Sequence, residues 1–179
     1  RLLHHAILRG GGPANLVSAV AEPTIASAQE LMGHAGVRIL AVTGGSGVVR
    51  QAMTSGKRAI CAGPGNPPVV VDETADLELA GRGIVNGASF DNNIVCTDEK
   101  EVIAVSSIVD KLLDQMKRHG AYIVHERDFH KIERVIFSEQ RGQRQRAVVE
   151  KDLIGKNAGE ILARAGISCS GDPPLLVQL

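Results

Sequence analysis

The chain has 179 residues, of which 44% are hydrophobic and 2% aromatic, and its 20 basic residues balance 20 acidic ones. This length allows one domain or two small ones with a buried core. The balanced charge argues against a role at nucleic acids or membrane surfaces, and the scarcity of aromatic residues removes the stacking platforms that single-stranded nucleic acids need. No apolar run reaches the roughly 18 residues that span a bilayer.

Strands and helices are expected to alternate in the first third of the chain. Pro23 can occupy the first turn of a helix over 24–32, where its missing N–H has no partner to lose. Apart from Arg38, the run 37–42 is apolar, which is typical of a parallel strand buried on both faces. This alternation predicts an α/β fold with an open parallel sheet. The other elements predicted here are a helix over 2–8, strands over 16–20 and 58–62, a glycine turn at 44–47 and a helix over 48–55.

The second part of the chain continues in the same α/β style after a boundary placed near 62–68. Apolar residues repeat at helical spacing in 108–118, which predicts an amphipathic helix. The polar and basic segment 138–146 is expected to be a solvated loop. The other elements predicted here are strands over 69–71, 101–105, 121–124 and 175–179, and helices over 76–87, 128–137 and 157–165. Because the chain opens in a helix without an initiator methionine and closes in a strand, we expect it to be a fragment.

Cys96 is the first candidate for chemistry. A free cysteine is more often a small buried apolar residue than a nucleophile, because a reactive thiol needs a special setting. Cys96 is predicted to lie in a loop between a helix and a strand, where active-site residues are common. Its neighbours Asn92, Asn93 and Thr97 carry donors for an oxyanion or a substrate. Cys61 and Cys169 lack such neighbours, and three cysteines without metal spacing fit reduced cytosolic thiols.

Two glycine-rich turns follow predicted strands. In Thr43-Gly44-Gly45-Ser46-Gly47, backbone N–H groups can approach a ligand at the start of a helix, although a simple tight turn explains these glycines equally well. In Gly63-Pro64-Gly65-Asn66-Pro67-Pro68, the stiff backbone fits either an inter-domain linker or the wall of a ligand pocket. The six histidines are scattered without metal-ligand spacing, so we expect them at the surface.

Three motifs occur in order: Val-Thr-Gly-Gly at 42–45, Ala-Gly-Pro-Gly-Asn-Pro-Pro-Val-Val-Val-Asp-Glu-Thr-Ala-Asp at 62–76, and Gly-Ala-Ser-Phe-Asp-Asn-Asn-Ile-Val-Cys-Thr-Asp-Glu-Lys at 87–100. Together they closely resemble the CoA-acylating branch of the aldehyde dehydrogenase superfamily. The ethanolamine- and propanediol-utilisation enzymes of bacterial microcompartments are the most similar members. The resemblance implies an aldehyde dehydrogenase-like fold, with 1–62 as the C-terminal part of a Rossmann-type NAD- and CoA-binding domain. Residues 63–179 would then be the N-terminal part of an α/β catalytic domain.

The resemblance also implies roles for single residues. Cys96 matches the catalytic thiol, and its own backbone N–H is a candidate oxyanion donor. Thr43, Gly44 and Gly45 match the turn beside the nicotinamide and pyrophosphate. The remaining matches to nucleotide-binding positions are Pro23, near the adenine end, and Pro64, Gly65 and Asn66, near the nicotinamide.

One departure from the wider superfamily concerns the residue that activates water. Hydrolytic members carry a glutamate in a Glu-Leu-Gly-Gly-Lys stretch, and the alignment puts Ala62 in its place. Without a positioned base, water attacks a thioester poorly, whereas a thiol is already a good nucleophile. The resemblance therefore implies NAD-dependent oxidation of a short-chain aldehyde to acyl-CoA through a thioester on Cys96. It further implies a homodimer or homotetramer, microcompartment shell proteins as possible partners, and a cytoplasmic location inside a microcompartment.

Three other functions stay open at this point. A non-acylating or phosphate-accepting semialdehyde dehydrogenase would keep the cysteine and change the acyl acceptor. A folded fragment that binds a nucleotide or a partner without turnover would show no special reactivity at Cys96. A thiolase-like acyltransferase would need histidine and second cysteine partners, which are not evident in the sequence.

Overall fold

The structure, a computed structural model, describes residues 1–139 and 147–179 in two compact units, Arg1–Pro64 and Gly65–Leu179. Whether these units correspond to a nucleotide-binding and a catalytic part stays a prediction. The solvated loop expected at 138–146 lies mostly outside the described residues, and its first two residues belong to a strand. No helix in the described ranges combines the length and apolar character needed to cross a bilayer.

The first unit is built around a parallel pair of strands, as the βαβ pattern predicted. Strand β1 (Ile39–Thr43) pairs with β2 (Arg58–Ala62), with Ile39 opposite Arg58. The helices are α1 (Leu2–Arg9), α2 (Ile25–Gly33) and α3 (Ser46–Met53). One face of the pair packs on a small core of Met32, Leu40 and Ala52.

Three expectations for this unit are wrong. Residues 16–20 form neither strand nor helix, and their apolar side chains are exposed. Strand β1 is buried on one face only, since Ile39 is 52% exposed. Pro23 precedes the N-cap of α2 instead of lying in its first turn, because Thr24 and Ser27 close a capping box: each side chain accepts from the other's backbone N–H.

The second unit contains the remaining elements, with small parallel pairs again. Strand β3 pairs with β4, and β5 with β8, in parallel, whereas β6 and β7 are antiparallel. Short 3₁₀ turns occupy Ser106–Ile108 and Lys151–Leu153, and Phe90–Asn93 forms a turn whose backbone is largely left-handed. The strands are β3 (Pro68–Val71), β4 (Glu101–Ala104), β5 (Tyr122–Ile123), β6 (Phe137–Glu139), β7 (Val148–Val149) and β8 (Leu176–Val177). The helices are α4 (Leu77–Ala88), α5 (Val109–Arg118), α6 (Glu126–Ile136) and α7 (Ala158–Arg164).

The core of this unit fixes the two ends of the loop that carries Cys96. Helices α4 and α5 approach closely at Gly81, where a Cβ would lie 2.6 Å from the Cβ of Gln115. Ile84 and Met116 are buried between these helices and strands β3 and β4. Leu79, also on α4, lies outside this core and is 57% exposed. The segment from the end of α4 to the start of β4 is thus held between two packed elements.

Candidate functional site

Cys96 lies in a tight turn and its side chain is exposed. The turn is closed by a reciprocal pair between Val95 and Asp98: the Asp98 N–H donates to the Val95 carbonyl, and the Val95 N–H donates to the Asp98 carboxylate, both at 3.1 Å. Asp98 is only 6% exposed, so this carboxylate is part of the loop's interior. The loop position expected for Cys96 is confirmed, and its two closing bonds leave the thiol at the corner of a fixed turn.

The approach to this turn is a left-handed stretch of backbone. Asp91, Asn92 and Asn93 have φ values of 46°, 52° and 61°. This region is strained for L-residues, but Asp and Asn tolerate it best, because their short polar side chains can bond locally. Three such residues in succession reverse the chain between α4 and Cys96.

The side-chain amides of the two asparagines hold that stretch in place. The Asn93 amide donates to the carbonyls of Ala88, at the end of α4, and of Glu99, before β4. The Asn92 amide donates, at 2.9 Å each, to the Gly155 carbonyl and to the Asn157 side chain. Both amides are therefore occupied with the protein's own acceptors, which differs from the role of oxyanion or substrate donor expected from the sequence.

Lys100 adds a positive charge behind the turn. Its half-buried ammonium donates to the carbonyls of Asn93 and Val95, both at 3.1 Å. Hydrogen bonds from a charged donor are roughly twice as strong as neutral ones. The lysine therefore joins the left-handed stretch to the residue immediately before the thiol.

The loop before β3 lies against the cysteine. A Cβ placed on Gly65 would fall 2.5 Å from the carbonyl oxygen of Cys96, a separation that no side chain tolerates. The Asn66 amide donates to the Glu101 carboxylate, which is on β4. The structure thus brings Gly65 and Cys96, two of the candidates, into direct contact. Pro64 is the last residue of the first unit.

The glycine turn after β1 is held by backbone alone. Gly44 has φ +153°, and its N–H donates to the carbonyl of Ala62 at the end of β2. Gly45 is the N-cap of α3 and, having no side chain, cannot cap the first-turn N–H groups. A Cβ on Gly45 would meet open space. No side chain caps the N–H groups at this helix start, and uncapped N–H groups of this kind can bind an anion; Thr43 ends β1 immediately before the turn.

The other candidates contribute less. Pro23 is exposed before α2, and Ala62 presents no carboxylate at the end of β2. Cys61 is half-buried on β2, and the half-buried Cys169 thiol donates to the Gly171 carbonyl. Among residues 1–139 and 147–179, no cluster of histidine, cysteine or carboxylate side chains is suited to a metal ion.

Sequence reasoning missed two residues that shape the site, Asp98 and Lys100. The run Asp91-Asn92-Asn93 did carry a signal, because Asp and Asn are the residues that most often adopt left-handed backbone. Lys100 carried none, since a single lysine before a strand is ordinarily a solvated side chain.

The chain is similar in sequence to known aldehyde dehydrogenases. The model of the aldehyde dehydrogenase family matches residues 1–153. Propanal dehydrogenase (CoA-propanoylating) of Salmonella typhimurium is 43% identical over 176 residues, which cover 98% of this chain and 36% of that protein. Acetaldehyde dehydrogenase (acetylating) EutE of Escherichia coli is 44% identical over 178 residues, covering 98% and 38%. The chain therefore spans less than two fifths of these curated relatives.

Solved structures give the same picture. Propionaldehyde dehydrogenase of Rhodopseudomonas palustris, with bound CoA and an acylated cysteine, matches with a TM-score of 0.85 and 38% identity, over 99% of this chain and 39% of that one. Propionaldehyde dehydrogenase from the fucose-utilisation microcompartment of Clostridium phytofermentans matches with a TM-score of 0.85 and 34% identity, over 99% and 44%. The aldehyde dehydrogenase-like α/β fold expected from the sequence is confirmed.

Proposed function

Because the chain belongs to the aldehyde dehydrogenase family, we propose that the natural full-length protein oxidises a short-chain aldehyde to acyl-CoA with NAD, through a thioester on Cys96. The observation that carries this proposal is the Cys96 turn: an exposed thiol on a backbone fixed by Asp98, Lys100 and Gly65. The relatives whose names include CoA-propanoylating and acetylating activities support the choice of reaction.

In the proposed reaction, the Cys96 thiolate attacks the aldehyde carbon and forms a carbon–sulfur bond, giving a thiohemiacetal. NAD held at the start of α3 would supply the acceptor for the hydride on that carbon; with the hydride and the hydroxyl proton of the thiohemiacetal removed, the acyl group would remain on Cys96 as a thioester. Covalent catalysis of this kind replaces one difficult step with two easier ones. The Cys96 N–H is the proposed donor to the oxyanion, because the amides of Asn92 and Asn93 are already engaged.

The acyl acceptor is proposed to be the thiol of CoA. Ala62 stands where hydrolytic members carry the glutamate that activates water, and its methyl group cannot act as a base. The similar propionaldehyde dehydrogenase of Rhodopseudomonas palustris, solved with bound CoA and an acylated cysteine, supports this acceptor. Thioester formation and transfer would then both occur at Cys96.

NAD fits the residues at the start of α3. The glycine turn leaves backbone N–H groups uncovered, and Gly44 and Gly45 allow a phosphate to come close. We assign Thr43, Gly44 and Gly45 to the pyrophosphate and nicotinamide side, and Pro23 to the adenine side. Pro64, Gly65 and Asn66 are assigned to the wall near the nicotinamide.

The finer assignments follow the relatives. A short aldehyde is the proposed substrate, and a homodimer or homotetramer the proposed assembly. The likeness to a microcompartment propionaldehyde dehydrogenase supports a cytoplasmic location inside such a compartment, with shell proteins as neighbours.

The test is an assay of the natural full-length protein with a short aldehyde and NAD, with and without CoA, following NADH at steady state. Cys96→Ala is the decisive variant, and Cys169→Ala is the matched control, because that thiol bonds within its own loop. We expect turnover to require both CoA and Cys96, with the control unchanged. Steady turnover without CoA would show that water or phosphate resolves the thioester, and absence of NADH throughout would favour a binding role.

A further inference from the structure

We infer that Lys100 is a positioning residue for Cys96: its ammonium fixes the backbone that presents the nucleophile. The inference rests on the proposed function, in which the Cys96 thiolate must meet the aldehyde carbon in one geometry. It assigns a role in the reaction to a side chain that need not touch substrate or cofactor.

The first support is that the Lys100 ammonium donates hydrogen bonds to two backbone carbonyls. Asn93 ends the left-handed stretch and Val95 immediately precedes the cysteine, and both carbonyl oxygens lie 3.1 Å from the ammonium. Left-handed backbone is disfavoured for these residues, so it persists only where surrounding contacts impose it. A charged donor shared between the two carbonyls supplies such a contact.

The second support is the backbone of the same residue. The Lys100 N–H donates to the Pro67 carbonyl at 2.9 Å, in the loop whose Gly65 touches the Cys96 carbonyl. One residue therefore ties the cysteine turn, through its side chain, to the loop beside the cysteine, through its main chain. Displacement of either loop would shift the Cys96 carbonyl and its thiol together.

The third support is that the other bonds of the turn do not replace this one. Asp98 closes the turn from Val95 onward, and the asparagine amides anchor the left-handed stretch to α4 and α7. Within residues 1–139 and 147–179, the Lys100 side chain is the one that donates to the carbonyls of both Asn93 and Val95. Because a misplacement of about 1 Å can lower a rate about 10²-fold, we expect loss of these two hydrogen bonds to lower the rate of the chemical step.

The experiment uses the natural full-length protein and three substitutions of Lys100. Lys100→Met keeps the length of the side chain and removes its donors, Lys100→Arg keeps charge and donors, and Lys100→Gln keeps neutral donors on a shorter stem. Lys111→Met is the matched control, because Lys111 is an exposed lysine on α5. Two readouts are taken: kcat and KM for NAD, and amide hydrogen exchange of the peptide covering 93–100.

For Lys100→Met we expect kcat to fall about 10- to 100-fold with KM for NAD close to that of the wild type. Exchange should rise in the 93–100 peptide while peptides from α4 and α5 stay protected. Lys100→Arg should restore both readouts, Lys100→Gln should restore them in part, and Lys111→Met should change neither. The exchange readout does not depend on turnover, so it tests the loop even if the proposed reaction were wrong.

Two results would overturn the inference. One is Lys100→Met with unchanged exchange at 93–100 and unchanged kcat, which would make the two bonds dispensable. The other is exchange that rises across α4 and α5 as well, without recovery in Lys100→Arg, which would make Lys100 a general support of the fold. If Lys100→Met does not fold, Lys100→Gln and Lys100→Arg decide between these outcomes by the same two readouts.

Discussion

The glycine turn after β1 and the cysteine loop after α4 hold their backbones by different means. In the glycine turn, the observed support is a backbone bond from Gly44 to Ala62, and Gly45 leaves the helix start uncapped. In the cysteine loop, side chains of Asn92, Asn93 and Lys100 each donate two hydrogen bonds. Under the proposed function, the backbone proposed to bind the nucleotide has uncapped N–H groups, whereas the backbone proposed to carry the nucleophile is held by hydrogen bonds from side chains.

The largest expected effect comes from filling the space between the two loops of the second unit. Gly65→Ala would place a methyl group 2.5 Å from the Cys96 carbonyl oxygen, so the cysteine turn and the loop that carries Gly65 must move apart. We expect kcat for acyl-CoA formation in the full-length protein to fall about 100-fold. Gly63→Ala is the control, since a Cβ there meets no atom within 4 Å. Equal activity of the two variants would show that the cysteine loop is not braced by its neighbour.

The next effect concerns the left-handed stretch. Asn93→Ala removes two side-chain bonds and leaves alanine at φ 61°, so we expect a loss of about 2–3 kcal/mol in the free energy of unfolding. The measurement is the thermal unfolding midpoint. Asn15→Ala, at an exposed residue with the same φ, tests the backbone strain without the loop and should lower the midpoint less. Equal losses would mean that the Asn93 amide contributes nothing.

A smaller effect is expected at the glycine turn after β1. Gly44→Ala forces a Cβ to φ +153° and to 3.0 Å from a Val48 methyl carbon, which should displace the amides at the start of α3. We expect KM for NAD to rise about tenfold, equivalent to about 1.4 kcal/mol, with kcat little changed. Gly47→Ala, where a Cβ meets open space, should bind NAD normally. A fall in kcat alone would contradict a binding role for this turn.

The smallest effect is expected at a side-chain hydrogen bond on α6, away from the candidate site. A hydrogen bond from Lys131 lowers the pKa of Asp128, in the first turn of α6, below its ordinary value of 3.8. The ionised carboxylate therefore stabilises the fold above pH 3.8, and this contribution is lost as the pH falls through the lowered pKa.

Lys131→Met should consequently lower the unfolding midpoint near neutral pH, and the gap to the wild type should narrow in strongly acidic buffer. Lys117→Met provides the comparison, because its pairing with Asp114 on α5 is exposed at both ends. A gap that stays constant with pH would show that the Lys131 side chain acts through packing and not through its charge.

Hydrophobic periodicity predicted the regular elements well and the loops poorly. Helix α5 follows from local pattern, because burial of one helix face is encoded in neighbouring residues. The parallel pairing of β1 with β2 follows from the alternation of strands and helices, although the predicted burial of β1 on both faces was wrong. The segment 16–20 has an apolar composition but forms no strand, since a strand also needs a partner that composition does not reveal.

The candidate site was predictable at Cys96 and Gly65, where residue type and spacing point to a loop. The hydrogen bonds that hold the cysteine loop could not be predicted, because they join distant parts of the chain. The Asn92 amide donates to Gly155 and Asn157, which are 63 and 65 residues away. Lys100 lies only seven and five residues from its two acceptors, yet their common orientation arises from the left-handed stretch. The local sequence specifies neither the long-range bonds of Asn92 nor the common orientation of the two carbonyls that bind Lys100.

The unequal exposure of the three cysteines has a practical consequence. Cys96 is exposed, whereas Cys61 and Cys169 are half-buried. A maleimide dye added briefly in limiting amount should therefore mark one position in this chain without prior mutagenesis. Hydrogen bonds fix the backbone at Cys96. The dye's emission would therefore report ligand binding near Cys96 and not motion of the residue to which the dye is attached.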